Sequence, residues 1–193
     1  MLSKNRKLTI AYVIVAAALA TVIVAAYMFA KPRLDEIQRT AHRLLSDGRL
    51  SQLELLLHNY HDEHNKFPPK QYSQTGSSPR HSWRVLLVKY MDDEELHLHY
   101  SFDKTWNSEA NLKLARDNIE TVGSFQGGFH KSQNSLFTDF FAGETTQADE
   151  YSNRGWKTRL VEKEGDKFLL VEVSNSEVHW LTPVSELDGA TLY

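Results

Sequence analysis

Residues Leu8 to Ala30 read LTIAYVIVAAALATVIVAAYMFA, and residues Leu50 to Pro69 read LSQLELLLHNYHDEHNKFPP. The first stretch runs for about 23 residues without a charge, and about 20 apolar residues in a helix cross a ~30 Å hydrocarbon core. It is longer than the apolar region of a signal peptide, usually about 7–15 residues, and reads as an uncleaved signal anchor. The second stretch repeats leucine at helical spacing and stops at a double proline. Together they describe a hydrophobic helix feeding a second, partly buried one, with a polar head built after it.

Working outward, Lys4, Arg6 and Lys7 precede the apolar stretch, while Lys31 and Arg33 follow it with Asp35 and Glu36 close behind. That balance places the N-terminus in the cytoplasm and the head on the other side of a cell inner membrane. Of the 22 Lys and Arg, 19 follow residue 30, as do all 25 Asp and Glu, so that part of the chain carries −6. Such a charge, without a basic stripe interleaved with aromatics, argues against nucleic acid as a partner. The chain has no cysteine, so the head must be stable through its core rather than through disulfides. Residues 1–30 form the tail and anchor, 31–49 a helical stalk, and 50–193 one head domain.

Leu34, Ile37, Ala41, Leu44 and Leu45 make one helical face, and Leu50, Leu53, Leu56, Leu57 and Tyr60 make another. At 100° per residue the second stripe is rotated by roughly a third of a turn from the first. The shift falls at Ser46-Asp47-Gly48, where glycine costs about 1 kcal/mol in a helix interior. Either the helix breaks there, or one continuous helix gives its first half to membrane-proximal partners and its second half to the head; continuity is the expectation. Phe67-Pro68-Pro69 ends the helix, because a residue before proline avoids the α region. Tyr72–Arg80 reads as a surface loop, Ser82–Tyr90 as a short helix capped by Ser82, and Asp92–Leu96 as a further helical turn. A helical piece is expected near Ala110–Arg116. Ile119–Val122, Leu136–Phe141 and Trp156–Val161 read as short strands, and Lys157–Glu162 and Phe168–Val173 as a hairpin about Glu164-Gly165. Helices first and strands later argue an α+β fold with an antiparallel sheet.

Several phrases carry a resemblance. They are Leu57-His58-Asn59-Tyr60-His61-Asp62 with Phe67-Pro68-Pro69, then Ser82-Trp83-Arg84-Val85-Leu86-Leu87 with Tyr90, then Phe102–Ser108 around Trp106 with Asn111. A further phrase holds Leu170–Val173, Trp180-Leu181-Thr182-Pro183 and Leu187. In this order they resemble a large family of pilin-like proteins of unknown function, abundant in planctomycetes, which carry a prepilin-type N-terminal helix. The family is also classed with extracellular solute-binding proteins. The resemblance implies a long N-terminal helix whose second half lies across an antiparallel sheet, and it implies that the quoted residues are structural. Prepilins of this kind carry a glycine at the processing site and a glutamate within the helix, and residues 1–30 hold neither. The expectation is therefore a permanently anchored relative.

His58, His61, Asp62, Glu63 and His64 form the densest ionisable cluster, and imidazole with carboxylate can hold zinc. Their spacing matches no zinc motif, so the histidines read as a helix terminus and no metal or cofactor is expected. His97 and His99 alternate as on a strand with a solvated face. Asp92–Glu95 lacks the spaced ligands and glycine of a calcium loop. Gly123, Phe125, Gly127 and Gly128 lie in a glycine-rich loop that fits no phosphate-binding motif; with Trp106 it is the candidate ligand-binding surface. Trp83, Trp106, Trp156 and Trp180 read as core and loop anchors.

The preferred reading is a non-enzymatic single-pass membrane protein with a pilin-like head. It acts in envelope structure or as an accessory to a secretion or pilus-type assembly, with the bilayer, envelope proteins and further copies of itself as partners. An anchored module that binds a solute or glycan is the alternative. A hydrolase has only the histidine cluster behind it.

Overall fold

The structure is a computed structural model and describes residues 4–74, 80–91, 94–118, 137–138, 140–173, 176 and 178–183. The chain divides into two compact units, Met1–Leu44 and Leu45–Tyr193. Helix α1 spans Lys4–His64, running through Pro32 and Gly48 without a break. Nothing lies within 4 Å of a Cβ built on Gly48, so the glycine marks no close approach there.

In the first unit every described residue is helical. Its large apolar side chains, from Tyr12 to Leu44, are exposed.

The second unit begins in α1 and is α+β. Leu50, Leu53 and Leu57 are fully buried, and Leu56 and Tyr60 nearly so, which makes this stretch the spine of the core. Burying one such side chain contributes about 1.5–3 kcal/mol. The helix stops where Asn65 turns left-handed (φ 54°) and its N–H donates to the His61 carbonyl at 2.7 Å. Asparagine tolerates that conformation, and the double proline then forbids another turn.

Strands β1 (Gln71–Tyr72) and β2 (His81–Ser82) pair antiparallel, so Tyr72 belongs to a ribbon rather than to the expected loop. Helix α2 (Trp83–Leu87) follows, capped by Ser82, whose hydroxyl accepts from the Arg84 N–H at 3.3 Å. A 3-10 turn over Val88–Tyr90 continues it. Helix α3 is Glu94–His99, so His97 and His99 stand exposed on a short helix and not on a strand. The apolar residues of that segment, Leu96 and Leu98, alternate as they would on a strand, but only Leu96 is buried. Helix α4 is Glu109–Asp117.

Strand β3 (Phe137–Thr138) pairs antiparallel with β7 (Val178–His179). Strands β4 (Phe140–Gly143), β5 (Lys157–Lys163) and β6 (Asp166–Glu172) form an antiparallel sheet in the order β4-β6-β5. Helix α5 (Ala148–Asn153) links β4 to β5. The β5–β6 hairpin closes through Glu164 and Gly165, both at positive φ (52° and 92°), the signature of a type I′ turn that suits strand twist.

Strand β6 is buried on both faces, as its unbroken Phe168-Leu169-Leu170-Val171 run requires. Phe168 and Leu170 join the core built on α1, while Leu169 and Val171 join Phe141, Tyr151 and Val178 on the other side. Gly143 on β4 makes that second side fit. A Cβ there would meet Val171 Cγ2 at 2.6 Å and Tyr151 Cε2 at 2.8 Å.

Candidate functional site

Along the head, α1 is fastened to β5 by charge as well as by core. Lys157 pairs with Asp47, Arg159 with Glu54 at 3.2 Å, and Lys163 with Asp62. Lys157, Arg159 and Lys163 share one face of the strand with buried Val161 between them, as strand alternation dictates. The spans match: about 22 Å of helix from Asp47 to Asp62 against about 20 Å of strand from Lys157 to Lys163. Hydrogen bonds from Lys157 and Lys163 hold the Asp47 and Asp62 carboxyls below their ordinary range. These exposed pairs set register more than stability.

The three histidines of the α1 terminus do not converge. His58 and His61 lie against Phe67, with ring centroids 6.4 and 4.9 Å away, while His64 lies 4.2 Å from Tyr60. His61 is buried, and its Nε2 lies 3.4 Å from Asp166. Among the described residues no group of three His, Asp or Glu is placed to hold a metal ion.

Several residues of the phrases quoted above make joints within the head. Arg84 is 1 % exposed, and its guanidinium donates to the carbonyls of Phe140 and Trp180 and to the Ser82 hydroxyl, between the rings of Trp83 and Phe141. Burial pushes its pKa down to about 9. It thereby ties α2 to β4 and to the Trp180 segment. Asn111 is equally buried and clamps the Phe102–Ser108 turn: it accepts from Ser101 N–H and donates to the carbonyls of Ser101 and Thr105, each at 3.0 Å. His81 sits at 2.8 Å from Tyr100 Oη and 3.0 Å from the Phe102 carbonyl. A carbonyl can only accept, so Nε2 carries the proton and Nδ1 accepts from the tyrosine. Burial lowers the His81 pKa and favours this neutral form. Pro183 is held at its carbonyl by Gln71, at 2.9 Å.

Of the candidate ligand surface, Gly123, Phe125, Gly127 and Gly128 lie outside the described residues, as does the expected strand Ile119–Val122. Trp106 is half-buried against the core, with its ring 6.0 Å from that of His179. Among the described residues, the head presents a concavity elsewhere. An open cleft of ≈ 330 Å³ lies between the Phe67-Pro68-Pro69 turn and strands β4 and β6. Lys66, Lys70, Glu144, Asp166 and Lys167 line it, and Lys70 pairs with Glu144. The sequence marks the Phe-Pro-Pro turn only as a helix stop and gives no sign of the residues of the opposing wall. Those residues lie some 75–100 positions later and carry no motif of their own. The cleft offers charged groups beside apolar side chains, among them Phe67, Pro68 and Leu169.

The other candidate surface is α1 itself. Among the described residues it is the one helix long and apolar enough to cross a membrane, and none of its apolar window is buried.

Helix and head thus define the class: an α+β protein in which a long N-terminal helix packs its C-terminal part on antiparallel sheets. The chain belongs to a family described as protein of unknown function (DUF1559), whose profile matches residues 39–167. That span holds the core spine, the Phe-Pro-Pro turn, Arg84, Asn111 and strands β4 and β5, and it ends as β6 begins. No curated protein and no solved structure matches the chain.

Proposed function

We propose that this chain is a single-pass membrane protein with its N-terminus in the cytoplasm and a pilin-like head outside. Its work is structural, in the envelope or as an accessory to a secretion or pilus-type assembly, and it performs no chemistry of its own. One observation carries the reading. An exposed apolar helix of membrane-spanning length continues into the helix whose later turns are the spine of the head's core. Lys4, Arg6 and Lys7 before that stretch support the orientation. The test is membrane fractionation followed by protease treatment of right-side-out vesicles. The chain stays in the membrane pellet after an alkaline wash, and external protease removes the head. A chain released by the wash, or a head protected from external protease, sinks the reading.

The cleft beside the Phe67-Pro68-Pro69 turn favours a second reading, an anchored module that binds a solute or glycan. Its lysines suit an anionic sugar. Thermal unfolding of the full chain with glucuronate-containing oligosaccharides decides it: no rise in the melting temperature at millimolar ligand removes the idea.

A further inference from the structure

Resting on the membrane-anchored reading above, we infer that α1 pairs in parallel with α1 of a second copy of this chain. The seam leaves the bilayer and continues through Leu34, Ile37, Ala41 and Leu44. These residues stand at spacings of three, four and three, the repeat that a coiled coil places at its a and d positions. All four lie within α1. Leu34 is 57 % exposed, Ile37 64 % and Leu44 68 %. The small Ala41 leaves a groove beside Ile37 and Leu44, the kind of hole into which a facing side chain inserts.

Lipid does not cover this stripe. The charge-free run ends at Ala30, and along the helix axis Leu34 lies about 6 Å and Leu44 about 21 Å beyond it. The stripe that builds the head's core starts later, at Leu50, on a face turned by roughly a third of a turn. Apolar side chains at this spacing in water call for another helix.

Charge points to a second copy as that helix. In the register set by Leu34 and Ile37, the charged residues Asp35, Glu36, Arg39 and Arg43 fall at b, c and f, away from the seam. Pro32, which lacks a donor, falls at f, the outermost position. The flanking g and e positions hold Arg33, Gln38, Thr40 and Leu45. In a parallel pair Arg33 then faces Gln38 and Thr40 faces Leu45, so identical copies meet without opposing like charges. Common insertion into the membrane gives every copy the same direction, which sets the parallel alignment. The register also extends back through Tyr27, Ile23, Ala20 and Ala16, where alanines let helices approach closely in lipid.

The chain has no cysteine, so single introduced thiols report neighbours without ambiguity. Leu34→Cys, Ile37→Cys and Leu44→Cys sample the seam; Asp35→Cys, Arg39→Cys and Arg43→Cys sample the outer faces. Oxidative crosslinking of the full chain in native membranes gives a product of twice the chain mass, several-fold more at the seam positions. Equal yields at all six positions, or a product containing a different protein, overturn the seam while leaving the anchor intact. A chain that washes off the membrane overturns the anchor reading itself. A double variant, Ile37→Asp with Leu44→Asp, abolishes recovery of an untagged copy by a tagged one from detergent extracts. Recovery unchanged in that variant overturns the inference.

Discussion

Leu34, Ile37, Ala41 and Leu44 share helical spacing and apolar character with Leu50, Leu53, Leu57 and Tyr60, and both sets lie on α1. The large side chains of the first set are more than half exposed, and those of the second are at most 6 % exposed. Beside the second set lie β5 and β6, with matching apolar residues and a ladder of opposite charges. Spacing therefore identifies a helix face that wants cover. What supplies the cover depends on residues a hundred positions away, or on another molecule.

The sharpest way to break this contrast is to truncate within the buried set. Leu57→Ala removes a fully buried side chain beneath the sheet and should cost about 2–5 kcal/mol in urea unfolding of the detergent-solubilised chain. A loss below about 1 kcal/mol would mean that the spine is not closed as described.

The head should also respond to acid. Burial, helped by the charge of Arg116, holds His179 down at about pKa 4, against an ordinary 6.5. Its Nδ1 accepts from the Leu181 N–H at 3.2 Å, which fits the neutral ring. The unfolded chain binds a proton as pH falls through 6.5, and the folded chain does so only near 4, so head stability falls across that window. The drop is on the order of 2 kcal/mol once discounted for the ring's partial exposure. His179→Gln should flatten it, and an unchanged pH profile in that variant would remove the assignment.

The turn that brings β5 back as β6 tests the opposing wall. Gly165→Ala places a side chain at φ 92° and should lower stability by about 1 kcal/mol, with no change in membrane retention. The smallest effect is expected in the open set. Ile37→Ala should leave head unfolding within about 0.5 kcal/mol of the parent chain. A larger shift would show that the head, and not another molecule, covers that stripe.

Much of the head was legible because its signals are local. Ser82 as a cap, Glu164-Gly165 as a hairpin turn and the Phe67-Pro68-Pro69 stop each depend on a few adjacent residues. The strand expected at His97 and His99 failed because a six-residue segment alternates and coils with equal ease, and the burial of Leu96 beside Tyr100 decided for a helix. The cleft was not legible. Lys66 and Lys70 adjoin the Phe-Pro-Pro phrase, but Glu144 and Asp166 reach it only through the pairing of β4 with β6. Arg84 and Asn111 were legible as parts of a family phrase, without the carbonyls they hold.

The sequence alone determined that a helix stops at the double proline, that the chain's first part is apolar for the length of a bilayer, and that the head needs no disulfide. Those are properties of composition and spacing, and each acts within a few turns of helix. Only the tertiary structure decided that α1 runs unbroken through Gly48 and which strands cover its Leu50–Tyr60 stripe. Burial needs a second surface, and that surface is assembled from strands whose places are fixed by long-range pairing.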